Sequence, residues 1–232
     1  MYRGKKVLGV TLARGGSKSI PKKNIADVNG QPLIYYTIRE ALICELIDNY
    51  IVSSDDDEII KVAEGFGVSC PFKRPAELSS DTATSADALI HAVDFMEHTY
   101  EDRYDYIVEL MVTNPLKSQN DIENCICLAV DKGHHSVVAV HELSDHHPAR
   151  IKFIENGKLK PFYPETPESR RQDLEPKAYI RSGSIYVTSR DFLFKNQSRY
   201  SKDDTLAYIL PDERVINIDD PVDLEIAREK LR

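Results

Sequence analysis

The chain has 232 residues, of which 29% are charged and 41% hydrophobic, and its 38 acidic and 30 basic side chains give a formal net charge of −8. That length supports one α/β core without staples. The acidic balance excludes a protein that grips nucleic acid or a membrane surface through its overall charge, so an anionic ligand must be met by a local cluster of bases.

In chain order, Val7 to Ala13 is an apolar run bounded by Gly15-Gly16 and predicts a strand buried on both faces. A basic loop follows. Asn29-Gly30 marks a turn, and Pro32, placed as a first helical residue, opens a helix running to Ile43. The alternation continues as strand at Tyr50 to Ser53, helix at Asp56 to Gly65, strand at Val68 to Phe72 and helix at Thr84 to His98. Tyr106 to Met111, Asp121 to Val130 and Ser136 to Val140 repeat it. Strands alternating with helices of this length predict a Rossmann-like, doubly wound, mostly parallel sheet covered on both faces.

The alternation breaks after His141. Ile151 to Ile154 and Lys158 to Lys160 flank Glu155-Asn156-Gly157, a hairpin signal, and the stretch to Pro176 is rich in proline and charge. From Ser184 the order returns, with a strand to Thr188, a short helix from Asp191, strands at Ala207 to Leu210 and Val215 to Ile218, and a last helix from Pro221 to Arg232. The expected organisation is one domain, residues 1–232, with an inserted arm at about 141–181. Cys44, Cys70, Cys125 and Cys127 make no C-x-x-C pair, and no run approaches the roughly 18 apolar residues of a membrane helix. Without a secretory N-terminal pattern, a reduced, cytoplasmic protein that binds neither membrane nor nucleic acid is expected.

Ligands of open α/β sheets bind beyond the carboxyl ends of the strands. The first such loop reads Leu12-Ala13-Arg14-Gly15-Gly16-Ser17-Lys18-Ser19-Ile20-Pro21-Lys22-Lys23-Asn24. It matches neither G-x-G-x-x-G nor the P-loop, yet it carries Arg14, Lys18, Lys22 and Lys23 with no acid among them. Glycine N–H groups and dispersed cations suit a nucleoside triphosphate; a solvated loop whose glycines serve only the turn is the alternative. The histidines at 134, 135, 141, 146 and 147 match no zinc spacing.

This loop resembles the signature of the CMP-acylneuraminate synthetases and their legionaminate-type relatives, cytidylyltransferases that activate nine-carbon keto-sugar acids. Further matches follow in order: Arg74-Pro75-Ala76-Glu77-Leu78, Asp81-Thr82-Ala83-Thr84-Ser85, Thr113-Asn114-Pro115-Leu116-Lys117, His146-His147-Pro148, Gly183-Ser184-Ile185-Tyr186 and Asn217-Ile218-Asp219. The resemblance implies that Arg14, Lys18 and Lys23 bind the CTP phosphates, that Leu12, Ala13, Gly15, Gly16 and Asn24 lie along the nucleotide, and that Arg74 donates to cytosine with Ser85 nearby. It implies attack of the sugar's anomeric hydroxyl on the α-phosphorus with loss of pyrophosphate, Mg²⁺ as cofactor, and a homodimer closed by the arm. A snorkelling Arg74 and a Thr84 that only caps a helix remain open.

Two departures stand out. Relatives carry two aspartates one residue apart, whose carboxylates share one strand face; here the pair is Asn217 and Asp219, and weaker metal binding with Asp219 as main ligand is expected. Asp220 and Asp223 suit a helix N-terminus. Where sialate synthetases commonly have a sugar-contacting glutamine stands Met111, either a sugar contact of altered preference or a core residue. For the sugar carboxylate the resemblance offers Arg150, Arg171 or its neighbour Arg170, with Tyr186 close by; arginine's fork suits a carboxylate. The alternatives are another sugar nucleotidyltransferase of the Kdo type and a non-catalytic nucleotide-binding protein of the same fold.

Overall fold

The computed structural model describes residues 1–143, 146–162, 170 and 173–232. Its centre is a six-stranded sheet in the order β10-β6-β9-β5-β1-β4. The strands are β1 (Val7–Leu12), β4 (Asn49–Ser53), β5 (Tyr106–Leu110), β6 (Ser136–Glu142), β9 (Tyr179–Ser189) and β10 (Leu206–Ile209). β1 pairs parallel with β4 and β5, and β10 parallel with β6, whereas β9 runs antiparallel between β5 and β6. The sheet is thus mostly parallel, as the alternation of elements predicts, with one reversed strand inserted.

Alternation along each strand divides the core. Tyr106, Val108 and Leu110 of β5 join Val137 and Ala139 of β6 and Ile185 and Val187 of β9 under helix α4 (Gln119–Lys132). Leu8, Val10 and Ile107 face the other way, under α3 (Ser85–Tyr100) and α5 (Arg190–Asn196). α1 (Leu33–Leu42) and α2 (Asp57–Gly65) pack with α6 (Pro221–Lys230) in a third cluster around Val52. Val138, Val140 and Tyr186 form a smaller cluster, with Met111 and Tyr200 packed against them.

Helix starts follow side-chain chemistry. Asp56 accepts from Glu58 N and Ile59 N, Thr84 from Asp87 N, and Ser118 and Asp220 close capping boxes with Asp121 and Asp223. α1 begins one residue later than expected: Pro32 is extended, at φ −66° and ψ 142°, and pairs with Asp27 across the two-stranded turn of β2 (Asp27–Val28) and β3 (Gln31–Pro32). Val68 to Phe72 is not a strand; only the isolated bridges Ile51 to Ser69 and Ser54 to Lys73 join that segment to the β4 edge. Val215 to Ile218 is also no strand. Ile216 and Ile218 are buried, and the segment's backbone bonds are a turn bond from Val215 N to Asp212 O at 3.2 Å and one from Ile218 N to Thr113 O at 2.9 Å.

The hairpin of β7 (Lys152–Glu155) and β8 (Lys158–Pro161) forms where expected and makes its own two-stranded sheet. β6 and β9 extend through Glu142 and Tyr179, so the ends of the segment assigned to the arm belong to the central sheet. Arg171 lies outside the described residues. The four cysteines are unpaired. Among the described residues no helix is long and apolar enough to cross a membrane.

Candidate active site

The loop after β1 folds back over the carboxyl ends of β1 and β5 and, with the start of α3, encloses a cavity of about 530 Å³. Leu12, Arg14, Lys18, Lys23 and Asn24 line it from the loop; Arg74, Ser85 and Met111 complete the wall from three other segments. Eight of the residues singled out from the sequence thus meet in one space, although 99 positions separate Leu12 from Met111.

Two of the cations share one exposed partner. Arg14 and Lys18 both reach Asp81, at 3.2 and 2.7 Å, and these ion pairs are exposed. Hydrogen bonding to Lys18 and its charge are the main causes that hold the Asp81 carboxyl below its ordinary value. Exposed pairs of this kind contribute little, so a polyanion that offers more charge can take both bases. Lys23 donates to Ile218 O at 2.8 Å and stands 3.5 Å from Asp219. Lys22 does not join the group: it turns outward to pair with Glu58 of α2.

Asn24 is buried and donates Nδ2–H to Arg14 O at 2.8 Å, which fixes the fold-back of the loop. Gly15 is required by close approach, because a Cβ there would lie 2.7 Å from Asp56 Oδ2; nothing crowds Gly16. The Gly15 N–H is given to Asp55 Oδ1 at 3.1 Å, so it is not the open phosphate donor expected of that glycine. Arg74 is 4% exposed, so it is no snorkelling surface residue. Its Nε donates to Ser79 Oγ at 2.9 Å, and Asp55 lies 3.5 Å from its Nη2. Burial pulls the Arg74 guanidinium below its ordinary value, with Asp55 opposing.

Asp55 is therefore a site residue, although it stands in Asp55-Asp56-Asp57-Glu58 at a strand-to-helix junction, where acids also favour the helix dipole. Asp56 is the cap; Asp55 ties the basic loop to Arg74.

Asn217 and Asp219 lie beyond the cavity wall, beside Lys23. Both point outward while Ile216 and Ile218 point in, so the shared face survives without a strand. Asn217 Nδ2 donates to Asp219 Oδ2 at 2.5 Å. Gly183, at φ +60°, makes room for the amide, since a Cβ there would sit 2.6 Å from Asn217 Oδ1. Among the described residues no three His, Cys, Asp or Glu gather around a metal position. One carboxylate and one amide oxygen fit only a cation that completes its shell with phosphate and water oxygens, the habit of Mg²⁺. Asp220 and Asp223 are engaged as caps; Asp223 also accepts from Asp219 N at 2.8 Å.

Met111 lines the cavity and also packs against the Val138, Val140 and Tyr186 cluster. Tyr186 is buried, and Arg150 is exposed on a 3₁₀ turn at Pro148–Arg150, away from the cavity wall. Glu109 and Arg199, neither read from the sequence, form an ion pair at the cavity's edge. Burial pushes the Glu109 carboxyl upward and Arg199 offsets it only in part. A lone acid in Tyr106-Ile107-Val108-Glu109-Leu110, a strand buried on both faces, was the available signal.

A family profile described as Cytidylyltransferase matches residues 8–150, which span the whole cavity wall. This chain belongs to the cytidylyltransferase family. The cytidylyltransferase is 36% identical over 231 residues to a pseudaminic acid cytidylyltransferase of Campylobacter jejuni subsp. jejuni serotype O:23/36, covering 96% of this chain and 95% of that protein. It is 27% identical over 220 residues to a CMP-N,N'-diacetyllegionaminic acid synthase of C. jejuni serotype O:2, covering 95% and 92%. In fold it is similar to a CMP:2-keto-3-deoxy-manno-octonic acid synthetase complexed with CTP, at TM-score 0.69 and 20% identity over 97% of this chain and 98% of that one.

Proposed function

We propose that this cytidylyltransferase transfers CMP from CTP to the anomeric hydroxyl of a nonulosonic acid of the sialic, legionaminic or pseudaminic type, releasing pyrophosphate. The observation that carries the proposal is the meeting of Arg14, Lys18 and Lys23 with buried Arg74 around one cavity at the carboxyl ends of β1 and β5. Displacement at phosphorus needs positioning and charge neutralisation more than covalent help. Arg14, Lys18 and Lys23 supply cations along the triphosphate, and Arg74, held by Asp55 and Ser79, offers its remaining donors to the acceptor edge of cytosine. The relatives' names favour a nonulosonate as acceptor.

Asn217 and Asp219 would hold Mg²⁺, which when bound neutralises phosphate charge. Lys23 lies between that pair and the loop and orients the same end of the nucleotide. A homodimer is favoured by the apolar side chains exposed on the β7–β8 hairpin. A cytoplasmic location is favoured by unpaired cysteines and by the intracellular supply of CTP.

Pyrophosphate release tests the proposal. Each nucleoside triphosphate is supplied in turn with Mg²⁺ and a panel of keto-sugar acids: pseudaminic, N,N'-diacetyllegionaminic, N-acetylneuraminic and 2-keto-3-deoxy-manno-octonic acid. Turnover with CTP and at least one nonulosonate is expected. Equal rates with UTP, or CTP binding without turnover on any acid, overturns it.

A further inference from the structure

Glu109, Tyr186 and Val138 are register neighbours across β5, β9 and β6, and so form one row on the sheet face opposite α4. Arg199 reaches this row from the loop after α5. Its guanidinium lies over the Tyr186 ring, 4.1 Å from the centroid, pairs through Nη1 with Glu109 and places the same nitrogen 4.0 Å from Met111 Sδ. Glu109 and Met111 both line the cavity. No described residue accepts from Nε or Nη2 of Arg199. One edge of the fork is thus anchored, and no described residue claims the other, directly behind the Glu109 and Met111 stretch of the cavity wall.

The charge at this edge is already balanced. Glu109 is 3% exposed and cannot leave Arg199 for solvent. A second carboxylate on the same guanidinium would place two anions around one cation in a desolvated setting, which is unfavourable. A neutral acceptor carries no such cost, and a carbonyl oxygen takes a hydrogen bond from a charged donor well. Met111 and Tyr200 beside it provide soft apolar contact for a small alkyl group. Carbonyl plus methyl describes an acylamino substituent.

We propose that Arg199, oriented by Glu109 as a positioning residue, reads the acyl carbonyl of an N-acylated sugar acid, and that this pair sets the preference for acylamino over hydroxyl at that carbon. The inference rests on the proposed transfer to a nonulosonate and deepens it.

The test compares kcat/KM for N-acetylneuraminic, N,N'-diacetyllegionaminic and pseudaminic acid with that for the all-hydroxyl nonulosonic acid, at saturating CTP and Mg²⁺. The wild type should favour at least one acylated acid by more than about 10-fold, the discrimination expected of a site built to satisfy a hydrogen-bonding group. Arg199→Lys keeps the pairing charge for Glu109 but loses the fork, and Glu109→Gln with Arg199→Met removes the charge pair together, so one of the two should fold even if the other does not. Each should reduce the preference to about 3-fold or less while leaving KM for CTP unchanged. A purely structural role would lower both acids' rates equally and leave their ratio intact; an unchanged ratio in either folded variant overturns the inference while the proposed function stands. Absence of CTP-dependent turnover on every acid in the wild type overturns the proposed function and this inference with it.

Discussion

Asp81 accepts from Arg14 and Lys18, and its exposure makes it a displaceable partner rather than a permanent one. Lys18→Ala should therefore leave the melting temperature near wild type while lowering kcat/KM for CTP by about 10- to 100-fold, the loss of a charge-assisted phosphate contact. Steady-state kinetics with a thermal melt on the same sample checks both halves. Asp55 is the opposite case, because it holds Gly15 N–H and buried Arg74 together. Asp55→Ala should raise KM for CTP by about 10-fold and narrow the preference for CTP over UTP, measured by parallel titrations of the two nucleotides. Lys117 bears on stability instead. It is buried, donating to Thr37 Oγ1 at 2.7 Å and Asn114 O at 2.5 Å, and burial pulls its ammonium down to about 7 against the charges of Glu40 and Asp121. The unfolded chain keeps that proton to about pH 10.4. Above pH 7 the unfolded state therefore binds more protons at this site, and its contribution to stability rises with pH. Between pH 7 and 8.5 urea unfolding should show a positive slope of about 1 kcal/mol per pH unit relative to Lys117→Met, which lacks the group.

The elements that carry the site differ in how they announce themselves. The loop after β1 is legible residue by residue, because basic side chains in an acidic chain and a strand-to-loop position both point to an anion. Its internal contacts are not: Lys22 goes to Glu58 and Gly15 to Asp55, choices made by segments some 35 to 40 residues away. Buried strands were read correctly wherever a run of apolar residues ended in turn chemistry. Val68 to Phe72 and Val215 to Ile218 have the same local pattern, but the first meets the β4 edge only at isolated bridges and the second joins no ladder, and pairing is a property of the sheet. β9 could be found but not its reversal, since a strand buried on both faces looks alike in either direction. The pairing of Glu109 with Arg199 joins residues 90 positions apart and has no local signature at its arginine end. Where the element itself fixes geometry, a substitution can be forecast. The extended segment from Ile216 to Asp219 presents Asn217 and Asp219 on one side, so Asn217→Asp adds a second carboxylate to the proposed metal position. The Mg²⁺ concentration for half-maximal rate should fall, and an unchanged magnesium titration would remove Asn217 from that role.

At the scale of the whole molecule, the sheet buries its apolar rows beneath helices, but the β7–β8 hairpin does not. Ile154 and Leu159 sit opposite each other in register and are 74% and 72% exposed, and Phe162 stacks edge-on against Phe153 with ring centroids 5.3 Å apart. An isolated two-stranded hairpin is marginal in water, and an exposed apolar cluster on an acidic protein needs a cover. A second copy of the chain is the partner proposed for it. Ile154→Lys with Leu159→Lys keeps the hairpin's turn and its Glu155-Asn156-Gly157 chemistry while placing two charges in the proposed interface. Sedimentation equilibrium should show the wild type as a dimer at micromolar concentration and the double variant shifted to monomer. Since binding stabilises the folded state by mass action, the wild type's melting temperature should rise with protein concentration and the variant's should not. CTP binding to the monomeric variant should persist, because Arg14, Lys18, Lys23 and Arg74 meet within one chain, and a dimer that survives both lysines would move the interface to another surface.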